Sequence, residues 1–188
     1  MPGQKWHLQM KNKLHFVLIL IFMPMISGEN FGIVVHGGAG VMSTLTQDQQ
    51  DAIKLKVSET LMSSYKILKN GGSSLDAVEF AVSEFEDSPL FNAGKGSVYT
   101  SNETQEMDAS IMFGLDRSSG AVASVKIIKN PIRLARKVLE ETNHIFLVGD
   151  GAESFAKNIG VNVVEANYIY YEKNLKRLRK VKNKLTNN

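Results

Sequence analysis

PLFNAGKGSVYTSNET, residues 89–104, is where the hydrophobic pattern of this 188-residue chain changes period. Upstream of it the period is helical. Thr46-x-x-Gln49 forms a capping box, and Ile53, Val57, Leu61, Tyr65 and Leu68 recur at helical spacing up to Asn70-Gly71-Gly72. Ser73-x-x-Asp76 opens a second helix, with Leu75, Val78, Val82 and Phe85 on one face and Asp87-Ser88-Pro89 as its stop. Downstream, the apolar residues fall into short extended runs at residues 97–100, 106–113 and 121–128. Turns at 101–104 and 116–120 separate them, which predicts an antiparallel meander. Asn130 as cap and Pro131 at the first helical position begin a third helix to about Thr142, with Ile132, Ala135, Val138 and Leu139 inward. Residues 144–148 read as a strand, 151–157 as a short helix and 161–164 as a last extended piece. Ahead of all these, FGIVV at residues 31–35 reads as a buried strand that stops in the glycine loop His36-Gly37-Gly38-Ala39-Gly40. Helices grouped against an antiparallel sheet, without strict strand–helix alternation, make the expected class α+β, a layered sandwich.

Composition narrows the chemistry. With 43% hydrophobic and 22% charged residues the chain can bury a core. It has no cysteine, which excludes disulfides, thiolate metal sites and cysteine nucleophiles. The net charge of +3 suggests nucleic acid until it is divided by region. Residues 29–171 carry 12 bases and 18 acids, a net of −6, and the excess of bases lies at the two ends. A nucleic-acid binder concentrates basicity on its folded surface, so this partner is not expected.

The amino end is basic at residues 5–13, apolar at 16–26 and small at Ile26-Ser27-Gly28, the three-part form of a secretory signal. Its apolar run falls short of the roughly 20 residues that span a bilayer. Residues 1–28 are expected to be removed, a signal-anchor or a buried first strand being the alternatives. Removal leaves no membrane span and puts the protein in the secretory pathway, extracellular or periplasmic, or in a lysosome. Asn102-Glu103-Thr104 is a glycosylation sequon. Residues 172–188, with seven bases against Glu172, read as a helix with Leu175, Leu178 and Val181 on one side and a solvated, loosely held surface elsewhere.

Motif spacing alone leaves the activity open. No Gly-Lys-Ser/Thr follows Gly40, so the loop is not a P-loop, and a dinucleotide fingerprint fails at Ser43. The glycines equally suit a tight turn or a close backbone approach. Asn92 sits where its amide can orient a neighbouring hydroxyl or carbonyl, and the loop around it exposes carbonyl oxygens of the kind that hold a hard cation. Glu106 and Asp108 share a strand face, but read as one exposed and one capped group. His36 and His144, each beside an apolar strand, read as structural. No nucleophile with its base emerges from these spacings.

Several collinear stretches go further: His36 to Gly40, GGSSLDAV from Gly71, PLFNAGKGSVYTSNET, Met107-Asp108-Ala109, IKNPIRLARKVLEETNH from Ile128 and VGDGAESFA from Val148. With these the sequence resembles the plant-type L-asparaginase and isoaspartyl peptidase family. The resemblance implies an N-terminal nucleophile hydrolase with an αββα sandwich. In that family a precursor cleaves itself before a threonine in a Gly-Thr-Val-Gly motif, and the freed threonine attacks the amide with its own amino group as base. That motif does not occur here, and Thr186, flanked by Leu185 and Asn187, does not match it.

By resemblance, then, residues 29–171 correspond to the α-subunit and residues 172–188 to a basic mobile linker. A β-subunit from the same precursor would supply the catalytic threonine in an (αβ)2 assembly acting on asparagine or β-aspartyl dipeptides. No catalytic residue or catalytic cofactor is expected in this chain. The supporting residues implied are Asn92 of the FNAG motif and the turn His36, Gly37, Gly38. The carbonyls of Phe85, Glu86, Ser88, Phe91, Ala93 and Lys95 are implied to hold a structural sodium ion. A glycosylasparaginase-like lysosomal amidase subunit and a catalytically dead truncated homologue with a binding role are the alternatives.

Overall fold

The computed structural model describes residues 30–38, 42–165, 168–169 and 171–186. The expected signal at 1–28, together with Ala39 and Gly40 of the glycine loop, lies outside them. The chain divides after Asn30, and the fold described below belongs to the unit that begins at Phe31.

Two helices come first. In α1 (Gln47–Lys69) the capping box forms as read, with the Gln49 amide on Thr46 Oγ1 at 3.3 Å and the Thr46 amide on Gln49 Oε1 at 3.1 Å. α2 (Ser74–Glu86) opens with the same reciprocal pair between Ser73 and Asp76, at 3.1 and 3.0 Å. Each box satisfies two amides that a helix start leaves orphaned. The two helices pack together, and the positions of α1 that are fully covered are Thr60 and Ser64, not its apolar stripe. On α2 the buried set is Leu75, Ala77, Ala81 and Phe85 together with Ser83 and Glu86, while Val78, expected inward, is exposed. Small residues at i and i+4, Thr60 and Ser64 on α1 and Ala77 and Ala81 on α2, are among the covered positions of both helices. Ile53, Val57, Leu61, Tyr65 and Leu68 are only half-buried.

The sheet has three strands: β1 (Met107–Met112), β2 (Ser119–Val125) and β3 (Phe146–Val148), in that order across it. β1 and β2 are antiparallel, as the turn at 116–118 predicts, and β3 joins β2 in parallel after the crossover helix α3 (Pro131–Glu141). The sheet is thus mixed, where a meander was expected. Residues 97–100 contribute only a single bridge, Tyr99 to Gln105, and residues 161–164 only that of Val163 to Ile128. α4 (Gly149–Asn158) and α5 (Glu172–Thr186) complete the unit.

The strand expected at residues 31–35 does not form. Exposure alternates as the sequence implies, with Phe31, Ile33 and Val35 half-buried and Val34 94% exposed, but no ladder partner lies beside it among the described residues. Alternation specifies a face; a strand also needs a neighbour to take its amides and carbonyls.

The core lies between α3 and the inner sheet face. Val122, Val125, Ile128, Leu134, Ala135 and Val138 are at most 1% exposed, and Ala152 and Ala156 of α4 close the cluster. Burying each of the larger side chains contributes about 1.5–3 kcal/mol. The approach is closest at Gly120, where a Cβ would meet the Ala135 carbonyl oxygen at 2.2 Å and the Leu139 nitrogen at 2.5 Å. α3 rests on the bare backbone of β2 there. Arg136 ties α3 back to α2 through Asp76 at 2.8 Å and Glu79 at 2.9 Å.

Candidate functional site

The loop at residues 87–100 leaves the C-terminus of α2, and the start of α3 holds it in place. Asn130 is the N-cap of α3, but its side chain makes no cap hydrogen bond; it donates instead to Asp87 Oδ1 at 3.2 Å. Glu86 does the capping from another helix, its Oε1 accepting from the Ile132 amide at 3.0 Å. A carboxyl group at a helix start complements the orphan amides there. Glu86 is 3% exposed and its Oε2 has no hydrogen-bond partner among the described residues. Burial is the main reason its carboxyl is pushed up to about 8; hydrogen bonds from Ile132 and Asn130 and the charge of Arg133 oppose the rise, and the charge of Asp87 adds to it. Lys129 closes the junction with an ion pair to Asp87 at 3.1 Å, a contact that raises its own ammonium.

Inside the loop, Gly94 and Gly96 are required by space. A Cβ on Gly94, whose φ is +48°, would stand 2.3 Å from the Glu86 carbonyl oxygen, and one on Gly96 would stand 2.1 Å from that of Phe91. Gly94 thereby packs against the C-terminal end of α2, and Gly96 against the Phe91 and Pro89 carbonyls. Phe85 and Ala93 carbonyls also accept amides, from Ser88 at 3.2 Å and Gly96 at 3.0 Å. The resemblance assigns the carbonyls of Phe85, Glu86, Ser88, Phe91, Ala93 and Lys95 to a structural sodium ion, and backbone carbonyl oxygens are a ligand type that hard cations take. Among the described residues, no group of three or more His, Asp or Glu side chains is placed to hold a metal. Lys95 directs its ammonium over the Tyr168 ring, 5.1 Å from the centroid.

Asn92 is exposed and oriented. Its Oδ1 accepts from the Val98 amide at 3.0 Å, which leaves the Nδ2 hydrogens for another partner. The HGG turn is brought to the same loop: a Cβ on Gly37 would lie 3.1 Å from Phe91 Cε1 and 3.4 Å from Val57 Cγ2. Gly38 has φ +100°, a conformation that suits glycine. His36 is exposed beside it, and His144 is exposed in the turn before β3, far along the chain from either loop. Glu106 accepts from Thr104 Oγ1 at 3.2 Å and lies 3.8 Å from Lys126, while exposed Asp108 accepts from the Ser124 amide at 2.9 Å. These two acids hold local structure.

Sequence reasoning missed the residues that support this loop from α5. Asn174 donates through Nδ2 to the carbonyls of Gly96 at 2.8 Å and Ser97 at 3.1 Å. Gln105 donates to Ser97 from the other side at 2.8 Å. Farther along α5, Arg179 meets Glu103 at 2.6 Å and Lys182 donates to the Ser101 carbonyl at 2.9 Å. Leu175 of the predicted apolar side is buried, whereas Val181 is half exposed. The only available signal was Asn174, a polar residue next to Leu175 on an otherwise basic helix.

The family described as Asparaginase matches residues 29–188. Among similar proteins, the isoaspartyl peptidase/L-asparaginase of Mus musculus is 46% identical over 150 residues, covering 80% of this chain and 45% of that protein. The Homo sapiens protein of the same name is 46% identical over 150 residues, 80% of this chain and 48% of its own length. The plant-type L-asparaginase of Pyrococcus abyssi is 49% identical over 129 residues, 68% and 41% of the two chains. The chain spans slightly under half the length of these relatives.

Proposed function

We propose that this chain, which belongs to the asparaginase family, is the α-portion of an amidohydrolase of L-asparagine and β-aspartyl peptides, completed by a second portion that carries a threonine nucleophile. The observation that carries this reading is the pairing of names and lengths: the relatives are called isoaspartyl peptidase/L-asparaginase, and the match uses less than half of each.

The structure supports the reading in two ways. First, the outer face of the sheet is open and partly apolar, with Asp108, Ser110 and Ser119 among its residues. Met112, Phe146 and Val148 are 61, 53 and 51% exposed, and the register sets Phe146 and Val148 beside Ala121 and Ala123 of β2. Small residues on the middle strand with larger ones at the sides form a surface on which a second sheet packs at about 10 Å. A β-portion seated there would make an αββα sandwich of this half. Second, the Asn92–loop arrangement offers a polarising donor and no attacking group. With Oδ1 held by Val98, the Nδ2 hydrogens suit a tetrahedral oxyanion or the hydroxyl of an incoming threonine. The carbonyls assigned by resemblance among residues 85–95 would hold a structural sodium ion, whose role is to stiffen the loop. A secretory location follows from the amino-terminal pattern and belongs to the same proposal.

The test uses the chain alone and the chain co-expressed with the region of a relative that its match leaves uncovered. Alone, it is expected to release no ammonia from L-asparagine and no aspartate from a β-aspartyl dipeptide; turnover by the lone chain would overturn the divided-site reading. The assembled pair is expected to hydrolyse both. A soluble pair that cleaves neither would overturn the amidohydrolase assignment, and a preference for glycoasparagine would move it to the glycosylasparaginase-like branch.

A further inference from the structure

We propose that Asn174 is a positioning residue for the Asn92 loop, acting from α5 through the backbone of Gly96 to Val98. The contacts run in series. Asn174 Nδ2 holds the Gly96 carbonyl at 2.8 Å and the Ser97 carbonyl at 3.1 Å. The next amide, that of Val98, is the donor that fixes Asn92 Oδ1 at 3.0 Å. Fixing Oδ1 determines where the Nδ2 hydrogens of Asn92 lie, since the amide is planar. The orientation of a group at the candidate site is therefore set by a side chain 82 positions later in the chain.

The geometry explains why Asn is used. Two successive carbonyls must be met by one side chain, and a primary amide supplies two donors from one nitrogen. A carboxylate in its place would face both oxygens with like partial charge. Gln105 covers Ser97 from the sheet side, donating to its carbonyl at 2.8 Å and its Oγ at 3.0 Å, but does not reach Gly96. Gly96 cannot accept a side chain of its own, because a Cβ there would meet the Phe91 carbonyl. Its amide is held within the loop by the Ala93 carbonyl at 3.0 Å, and its carbonyl from outside by Asn174.

α5 reaches the loop because its bases are divided between two tasks. Arg179 Nε and Nη2 both donate to Glu103 Oε2, at 3.1 and 2.6 Å, and Lys182 meets the Ser101 carbonyl at 2.9 Å and Glu103 Oε1 at 3.5 Å. The Arg179 contacts also hold the Glu103 carboxyl below its usual value. At the other end Leu175 is buried and the Tyr171 amide donates to Tyr99 Oη at 3.4 Å. Lys173, Arg177, Lys180 and Lys184, spaced by four, three and four residues, share the remaining, exposed face. The helix is thus a strap with a buried anchor, a loop contact and an ionic clasp. What Asn92 does once positioned rests on the function proposed above; that Asn174 positions it does not.

The experiment measures amide exchange by NMR on the full chain, at Val98 and across α2, α3 and α5. In the wild type the Val98 and α5 amides are expected to be protected. Asn174→Asp, which keeps the shape and removes the donors, should speed exchange at Val98 about fivefold or more while leaving α2 and α3 unchanged. Arg179→Ala, which removes the pair with Glu103, should speed Val98 in the same direction by loosening the clasp. Raising salt to 1 M, where the Debye length falls to about 3 Å, should do so without any substitution and keeps the test open if a variant misfolds. An unprotected α5 in the wild type, or a Val98 rate that does not respond to Asn174→Asp and salt, would overturn the proposal. Equal acceleration of α2 and α3 would reduce Asn174 to a general stabiliser and overturn it too. None of these readouts involves catalysis, so an inactive assembled pair would count against the proposed function and leave this result standing.

Discussion

Glu86→Gln isolates a titration that the fold has displaced. The carboxyl sits at about 8 in the folded chain against an ordinary value of 4.5, chiefly because it is buried. The folded state therefore holds this proton more tightly than the unfolded state. Between those two values the native chain binds more protons, so stability is complete below about pH 4.5 and falls as pH rises, until the loss is finished near pH 8. One proton corresponds to a slope of about 1.4 kcal/mol per pH unit, or roughly 4 kcal/mol from pH 5 to 8, a large part of a domain's usual 5–15 kcal/mol. Glutamine keeps an oxygen for the Ile132 amide and cannot ionise. Urea denaturation of both proteins at pH 5, 6, 7 and 8, at fixed sodium and ionic strength, gives a difference in which the other titrating groups cancel. The variant is expected to match the wild type near pH 5 and to exceed it by several kcal/mol at pH 8, following that slope. A difference independent of pH would refute the reasoning and mean that the carboxyl is solvated or ionised in the folded chain.

Gly120→Ala should cost about 2–3 kcal/mol in the same denaturation assay, because its methyl would meet the α3 backbone at 2.2 Å, whereas Gly114→Ala, with open space around it, should be near neutral. Asp76, held at about 2 first by the Ser73 hydroxyl and then by Arg136, contributes stability that is present above its ordinary 3.8 and lost as pH falls toward 2. Its side chain is 44% exposed, so Asp76→Ala should cost only about 1 kcal/mol at pH 7, and less at pH 2, by thermal or urea unfolding. Asn92→Asp retains an acceptor for Val98 and removes the donor; it should leave the melting temperature unchanged and lower kcat of the assembled enzyme by about 100-fold.

What could be read from the sequence was local chemistry. The capping boxes at Thr46 and Ser73, the proline start at Pro131 and the turn into β2 are each decided by residues within a few positions of one another. The glycine loop was legible as a loop, and its place in the family was legible from motif order. Partnerships across the chain were not. Glu86 caps a helix that begins 45 residues later, although Asn130 had the identity expected of a cap. Thr60 and Ser64 took the covered positions that the apolar stripe of α1 suggested for itself. β3 joined in parallel through α3, a choice that a three-residue strand cannot signal. At the candidate site, Asn92 and the glycines were found from identity, while Asn174 was hidden in a segment whose charge suggested only solvent.

Three departures from expectation have a common form. Residues 31–35 alternate as a strand does but have no ladder partner among the described residues; the α1 stripe has helical spacing but is half-covered; and the outer sheet face carries apolar side chains but is open. In each case the local pattern is self-consistent and only burial is missing. Exposed edges and apolar side chains left without cover invite association between chains. On the function proposed above, the second portion would supply the layer that covers these surfaces, and the match to under half of each relative's length is consistent with that proposal. On that account the open surfaces and the absence of a nucleophile–base pair in the sequence motifs have one cause, because the layer that would cover the sheet is also the piece on which the attacking group would arrive.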